Sequence, residues 1–343
     1  MSKEGAQAII RAKAPLRVSF AGGGTDVPPY CDTYGGCVLN ATINKYAYST
    51  LQPTLNDKIE VHSLDYDYIA HFQVEDNLPL DGEMDLLKAV INRLKRGQKG
   101  VSLMTHNDAP PGSGLGSSSA MVVSLVGAFN EWHGLGLSDY EIANLALEIE
   151  RVDLAISGGK QDQYACTFGG FNFMEFGHDY TLVNPLRIKK DIINELEYNL
   201  LLYYTGKSRL SGNIIDAQVK NVNDGKKKSL DAMHDLKQQT LDMKNALLRG
   251  QTHKFGELLH SAWESKKSMA DEISNPLIDE MYDTARQAGA IGGKVSGAGG
   301  GGFMTFYCAN GKKNKVAESL ERLGGEVVDF QFELNGLQSW RVG

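Results

Sequence analysis

The residues best suited to chemistry lie in PPGSGLGSSSA, Pro110–Ala120. Prolines stiffen its entry, glycines let a ligand approach the backbone closely, and three hydroxyls stand at the head of an apolar run. Backbone N–H groups at a helix N-terminus, aided by the helix dipole, make a phosphate site. Pro111, Gly112, Ser113, Gly114, Leu115, Gly116, Ser117, Ser118 and Ser119 are therefore candidate phosphate-binding residues. A flexible Gly/Ser loop with N-capping serines has the same composition, and the residues alone leave both readings open. The loop lacks G-K-[ST], and its glycines do not directly follow a strand, so it is neither a Walker loop nor a dinucleotide fingerprint. Two other glycine runs, Gly22–Gly24 and the one within Ser296–Gly302, permit positive φ at little steric cost. Finally, Lys207 and Arg209 in TGKSRLSG face one way on an extended chain. Arg suits bidentate phosphate recognition and Lys a point-charge contact, although a solvated basic turn fits them equally.

Hydrophobic patterning indicates what positions these loops. Ala6–Ala21 alternates apolar and polar residues and should hold a strand ending at Gly22–Gly24. Val38–Thr50, Lys58–Ser63, Tyr68–Val74 and Gly100–Asn107 read as further strands. Met84–Arg96 has helical spacing, and Ser117–Trp132 is an apolar helix directly after the phosphate loop. Ser138 with Glu141 forms a capping box for a helix expected to reach Asp153. Gly158–Phe176 is glycine-punctuated and leads into a strand, and Tyr198–Tyr204 is a strongly apolar one. The second half is helical over Ser211–Arg249, His253–Ala270 and Pro276–Gln287, then closes with Phe303–Cys308, Lys313–Leu323 and Glu326–Phe332. Strands grouped before helices indicate α+β rather than regular βαβ alternation.

Three motifs in order carry a resemblance. Pro110–Ala120 resembles the ATP loop of the superfamily containing galactokinase, homoserine kinase, mevalonate kinase and phosphomevalonate kinase, the GHMP kinases. KAPLRVSFAGGGTD, Lys13–Asp26, resembles its N-terminal substrate motif, and KVSGAGGGGF, Lys294–Phe303, its C-terminal glycine loop. The similarity runs through essentially the whole chain. It implies a two-domain GHMP kinase fold: an N-terminal domain like domain 2 of ribosomal protein S5 (1–200) and a ferredoxin-like C-terminal domain (201–343), with the active site between them. It also implies ATP and Mg²⁺. GGKQDQYACTFGG, Gly158–Gly170, resembles the segment whose aspartate lies beside the substrate hydroxyl, which makes Asp162 the catalytic carboxylate. Arg17 would steady Asp162 or offset γ-phosphate charge. Glu150 aligns with the family's magnesium glutamate after one inserted residue, with Ser118 as its hydroxyl partner and Glu148 as a weaker competitor. One or two protein oxygens suffice for Mg²⁺ beside phosphate and water.

The same resemblance bears on substrate. Where galactokinase carries Glu-His before Thr-Asp, this chain has Gly23-Gly24, which disfavours galactose; Asp26 remains to accept sugar hydroxyls. RVSFAGGGTD followed by Pro29-Tyr30 resembles the bacterial D-glycero-D-manno-heptose 7-phosphate kinases, which phosphorylate the anomeric hydroxyl. Gly23, Gly24, Thr25, Asp26 and Gly299 are thus expected substrate contacts, and Lys207 with Arg209, joined by Lys13, the expected grip on a distal phosphate. A kinase for fucose or a mannose-like hexose is the runner-up. A silent sugar-and-ATP sensor is disfavoured because Arg17, Ser118, Glu150 and Asp162 are all present.

Composition excludes other classes. The 343 residues carry 35 Lys+Arg against 42 Asp+Glu, a net charge of −7, which gives no advantage on nucleic acid or an anionic membrane. Cys31, Cys37, Cys166 and Cys308 form no CxxC pair and read as buried reduced thiols. No apolar run reaches membrane-span length and the N-terminus lacks a secretory core, so a cytoplasmic location is expected. A homo-oligomer stays open.

Overall fold

A computed structural model describes residues 8–74, 77–96, 100–207 and 212–343. Two sheets organise the chain. In the first, the strand order is Gln338–Val342, Ile9–Ala21, Gly36–Pro53, Val101–Asn107, Lys58–Ser63, Tyr68–Gln73. Phe171–Phe176 pairs with the other end of Gly36–Pro53, and with Thr181–Pro185 on its far side. All pairs are antiparallel except Lys58–Ser63 with Val101–Asn107. The second sheet is antiparallel in the order Glu326–Val328, Leu200–Tyr204, Phe303–Tyr307, Gly292–Val295. Numbered along the chain that is 4-1-3-2, the ferredoxin-like order.

The helix Ser117–His133 follows the phosphate loop as expected and is buried on every side from Ser119 to Phe129. A helix apolar all round belongs in a core, and this one packs on the strands Ile9–Ala21 and Gly36–Pro53. Its position fixes where the loop before it points. The second half is joined to this layer by the helices Lys227–Leu248 and Thr252–Lys267. Phe20, fully buried, meets Phe255 of the second helix edge-on at 5.2 Å and Phe171 at 6.4 Å. One core therefore runs through both halves.

Several expectations shift. The Ser138 capping box is present, with Ser138 N–H donating to Glu141 Oε2 at 2.8 Å. The helix it starts ends its α-helical part at Glu148, and a π-helical turn, Ile149–Asp153, follows. Within Gly158–Phe176 a helix forms over Gln161–Phe168, where the sequence suggested only a loop before the strand. Eight residues between glycines carry too few apolar repeats to show a helical period. The last expected strand shortens to Glu326–Val328, and the chain then returns to the first sheet: Gln338–Val342 pairs with Ile9–Lys13. The division expected at 200/201 falls where the chain enters the second sheet, but the returning strand crosses it. All four cysteines are buried and unpaired. Among the described residues no helix is long and apolar enough to cross a membrane.

Because Phe20 sits where the two halves share one core, Phe20→Ala should cost ~3–5 kcal/mol of unfolding free energy, read by urea denaturation. A loss below ~1 kcal/mol would mean that the halves do not depend on this contact.

Candidate active site

The phosphate loop is held from both sides by backbone. Gly112, Gly114 and Gly116 have φ of +71°, +82° and +76°. A Cβ on Gly114 would lie 2.5 Å from the Ser296 carbonyl oxygen, and one on Gly297 would lie 2.9 Å from the Gly114 Cα. Phe303 N–H donates to the Ser113 carbonyl oxygen at 2.9 Å, and Arg17 N–H to that of Leu115 at 3.0 Å. The phosphate loop and the C-terminal glycine loop thus meet edge to edge. Gly116 closes the loop as the N-cap, and Ser117 begins the helix. Beside it a cavity of about 430 Å³ opens, lined by Tyr66, Tyr68, Met84, Pro111, Ser118 and Met121 among others.

Arg17 and Asp162 form the polar centre. Arg17 is only 3% exposed. It grips Asp162 Oδ1 through Nε at 2.7 Å and Nη2 at 2.6 Å, and its Nη1 donates to the Gly114 carbonyl oxygen at 2.5 Å. A Cβ on Gly116 would lie 3.4 Å from Asp162 Oδ2. The carboxylate therefore faces the glycine at the head of the phosphate helix, with its second oxygen turned to the loop. Asp162 stands in the first turn of Gln161–Phe168, the helix that sequence reasoning missed.

Glu150 lies in the π-helical turn, where one extra residue re-aims a helix. The Glu150 carboxylate is buried and accepts from Gln163 Nε2 at 2.7 Å, Ser119 Oγ at 3.1 Å and Arg151 Nη1 at 3.1 Å. Burial pushes its carboxyl above the usual carboxylate range, against the pull of Arg151. The hydroxyl bonded to Glu150 is that of Ser119, while Ser118 is exposed and lines the cavity. Successive helical residues diverge by about 100°, so the two serines point different ways. Glu148 is exposed and pairs with Arg93 at 3.5 Å, away from the loop. A carboxylate and hydroxyls are hard oxygen donors, the kind that Mg²⁺ takes alongside nucleotide phosphates.

The Gly22–Gly24 loop supplies a third group. Asp26 is buried; its Oδ1 accepts from Gly24 N–H at 2.9 Å and its Oδ2 from Gln161 N–H at 3.1 Å. Gln161 precedes Asp162, so the two carboxylates are tied by one peptide. A Cβ on Gly23 would lie 3.4 Å from Gln161 Nε2 and 3.6 Å from Ser19 Oγ, so this glycine borders polar side chains. Thr25 turns inward instead: its hydroxyl bridges the Gly22 and Cys37 carbonyl oxygens at 2.8 and 2.9 Å and shapes the loop. Gly299, with φ of +119°, packs on the Ile273 backbone.

Two buried lysines were missed. Lys266 donates to the Gly23 carbonyl oxygen at 2.7 Å, and Lys294 to that of Ser19 at 2.7 Å. Lys266 lies in a helix rich in charge, and Lys294 opens a motif whose glycines draw the eye. Lys207 is exposed, in a separate cavity with Asn275, Leu277 and Gly301. Lys13 stacks on Tyr46 at 4.4 Å. Arg209 lies outside the described residues.

Known proteins match this arrangement. Residues 85–170 match the family described as GHMP kinases N terminal domain, and residues 243–325 the GHMP kinases C terminal domain. D-glycero-alpha-D-manno-heptose 7-phosphate kinase of Campylobacter jejuni is 44% identical over 97% of this chain and 99% of its own length. The crystal structure of a D-glycero-D-manno-heptose 1-phosphate kinase from Bacteroides thetaiotaomicron superposes with a TM-score of 0.83 at 43% identity, covering 97% of this chain and 99% of that one. Lactococcus lactis galactokinase, at 20% identity and a TM-score of 0.78 over 98% of this chain and 95% of its own, shares the fold. With a relative matched at such identity from end to end, and both family domains found in order, the chain belongs to the GHMP kinase family.

Proposed function

We propose that this kinase transfers the γ-phosphoryl group of ATP to the anomeric hydroxyl of D-glycero-D-manno-heptose 7-phosphate. The product is the 1,7-bisphosphate, a precursor for nucleotide-activated heptose and surface polysaccharide. The observation that carries the reading is Asp162, oriented by Arg17 and set against Gly116 at the head of the phosphate helix. An acceptor hydroxyl at Asp162 is then in line with a phosphoryl group resting on Gly112–Ser119. The two heptose kinases named above support the sugar, and their names differ: one places a phosphate at position 7, the other at position 1. The first name supports a substrate phosphorylated at carbon 7, and both support a phosphorylated heptose.

In this mechanism the phosphates of ATP lie on the backbone N–H groups of the loop, with the nucleoside in the cavity beside Tyr66, Tyr68 and Met121. Asp162 accepts the proton of the anomeric hydroxyl as the new O–P bond forms and the bond to the ADP oxygen breaks. Arg17 fixes the carboxylate and adds positive charge beside the transferred group. Asp26 accepts hydrogen bonds from ring hydroxyls. Glu150 and the Ser118 hydroxyl would hold Mg²⁺, with Ser119 bracing the carboxylate, and the ion would offset negative charge on the nucleotide phosphates. Residues 1–200 supply the phosphate loop and both carboxylates, and residues 201–343 wall the sugar side.

Three measurements test this reading. ADP release with ATP and Mg²⁺ should be strong on heptose 7-phosphate and weak on mannose 6-phosphate, fucose, galactose and mevalonate. Turnover on fucose alone would replace the substrate while keeping the reaction. Asp162→Asn keeps the shape but removes the proton acceptor, so kcat should fall ~10²–10⁴-fold, with ATP affinity retained by equilibrium binding; near-normal kcat would remove Asp162 from the chemistry. Glu150→Gln should raise the Mg²⁺ concentration for half-maximal rate at least ~10-fold, as loss of a carboxylate ligand predicts. An unchanged Mg²⁺ titration would assign Glu150 to packing alone.

A further inference from the structure

Gly24 has φ of +105°, and three side chains of the second half crowd its open face. A Cβ there would lie 2.6 Å from Met269 Cε, 2.9 Å from Gln218 Oε1 and 3.0 Å from Lys266 Nζ. Gln218 comes from the helix Gly212–Asn223 and Lys266 from Thr252–Lys267. Both are buried, at 2% and 4% exposure.

Their polar atoms are under-used. The Gln218 amide carries two donor hydrogens and an acceptor oxygen, and among the described residues neither its oxygen nor its nitrogen has a partner. Leaving such a group unpaired costs ~1–3 kcal/mol, so buried amides are satisfied by protein, water or ligand. Lys266 has three donors and uses one on the Gly23 carbonyl oxygen; among the described residues it makes no ion pair. A buried ammonium without a paired anion is costly. Burial pulls it down to about 8, with Asp26 acting to hold it up. Lys294, 4% exposed, is a second buried ammonium close enough to feel Lys266 and Arg17. Arg17, Lys266 and Lys294 thus lie near Asp26 and Asp162, and among the described residues only Arg17 is ion-paired with one of those carboxylates.

We propose that Lys266 and Gln218 form the subsite for the phosphate that the sugar already carries. The position suits it: Asp162 receives the reacting hydroxyl, Gln161 and Asp26 span the ring, and Lys266 with Gln218 lie past Asp26 at the Gly23-Gly24 edge. Lys266 supplies charge and the Gln218 amide hydrogens a directional contact to phosphate oxygens. The subsite rests on the heptose 7-phosphate reading. It moves the distal-phosphate contact from Lys207, which lies in the separate cavity, to the interior.

The test compares heptose 7-phosphate with unphosphorylated heptose as substrates of the full chain, unmutated and as Lys266→Met and Gln218→Leu. A lost charge-assisted hydrogen bond should raise KM for the phosphorylated sugar ~10–100-fold in Lys266→Met and less in Gln218→Leu. The preference for phosphorylated over free sugar should shrink by the same factor, with KM for ATP within about twofold. Equal losses on both sugars, or an unchanged preference, would overturn the subsite and leave Lys266 as a brace for the Gly23 loop. If Lys266→Met shows no cooperative unfolding transition, Gln218→Leu decides through inorganic phosphate as a competitor of the sugar. Competition weakened at least ~5-fold supports the subsite, and undiminished competition overturns it. Turnover of free sugars alone by the unmutated chain would overturn the heptose 7-phosphate reading and the subsite together, an outcome distinct from either variant result.

Discussion

The Arg17–Asp162 ion pair is the constraint on which the rest of the site depends. Arg17 spans three segments distant in sequence: its own strand, the phosphate loop through Gly114, and the short helix bearing Asp162. Removing one partner of a buried pair strands a charge and costs ~3–5 kcal/mol. A guanidinium is suited to this place because its planar fork can hold a carboxylate and a carbonyl oxygen together. The separation of Asp162 from the Gly114 loop is thereby bridged by one planar guanidinium. Preorganised charge of this kind acts without reorganisation at the moment of reaction.

Around this pair the cleft is divided by charge. On one side stand backbone N–H groups, hydroxyls and a buried glutamate; on the other stand Asp26 and buried lysines. The polar side chains are nearly all held by backbone carbonyls or by each other. A few beside the glycine loops are left unpaired among the described residues, the Gln218 amide and the hydroxyls of Ser19 and Ser296 among them. A folded interior tolerates few such groups, and each calls for a partner from protein, water or ligand.

Much of this was legible in the sequence. The three glycine motifs have local signatures, and the strands and long helices that bear them show clear periodicity: Lys58–Ser63 was read with the bounds observed, and Ser117–Trp132 falls one residue short of the observed helix. The family resemblance rested on the same motifs. What escaped notice depends on tertiary contact. The helix Gln161–Phe168 is stabilised by packing on the core rather than by pattern. Ser119 rather than Ser118 is hydrogen-bonded to Glu150 because of helix phase, and the π turn that carries Glu150 has no signature in the sequence. Lys266 and Gln218 sit on helices dense in charge, where a buried lysine and an exposed one look alike. The strand Gln338–Val342 is short and partly exposed, so neither alternation nor apolar content marked its return to the first sheet.

That return makes the two halves share two covalent crossings instead of one, near Asn199–Leu200 and again after Val328. Bodies tied at a single point can swivel about any axis; bodies tied at two can turn easily only about the line that joins the ties. Any opening of the sugar cleft is therefore confined to a door-like rotation with the crossings as its two hinge pins. The same geometry sets Ile9 against Val342, so the first and last described strands are neighbours in the first sheet. A circularly permuted chain, with these ends joined and new ones cut in a surface loop, would keep both hinge pins.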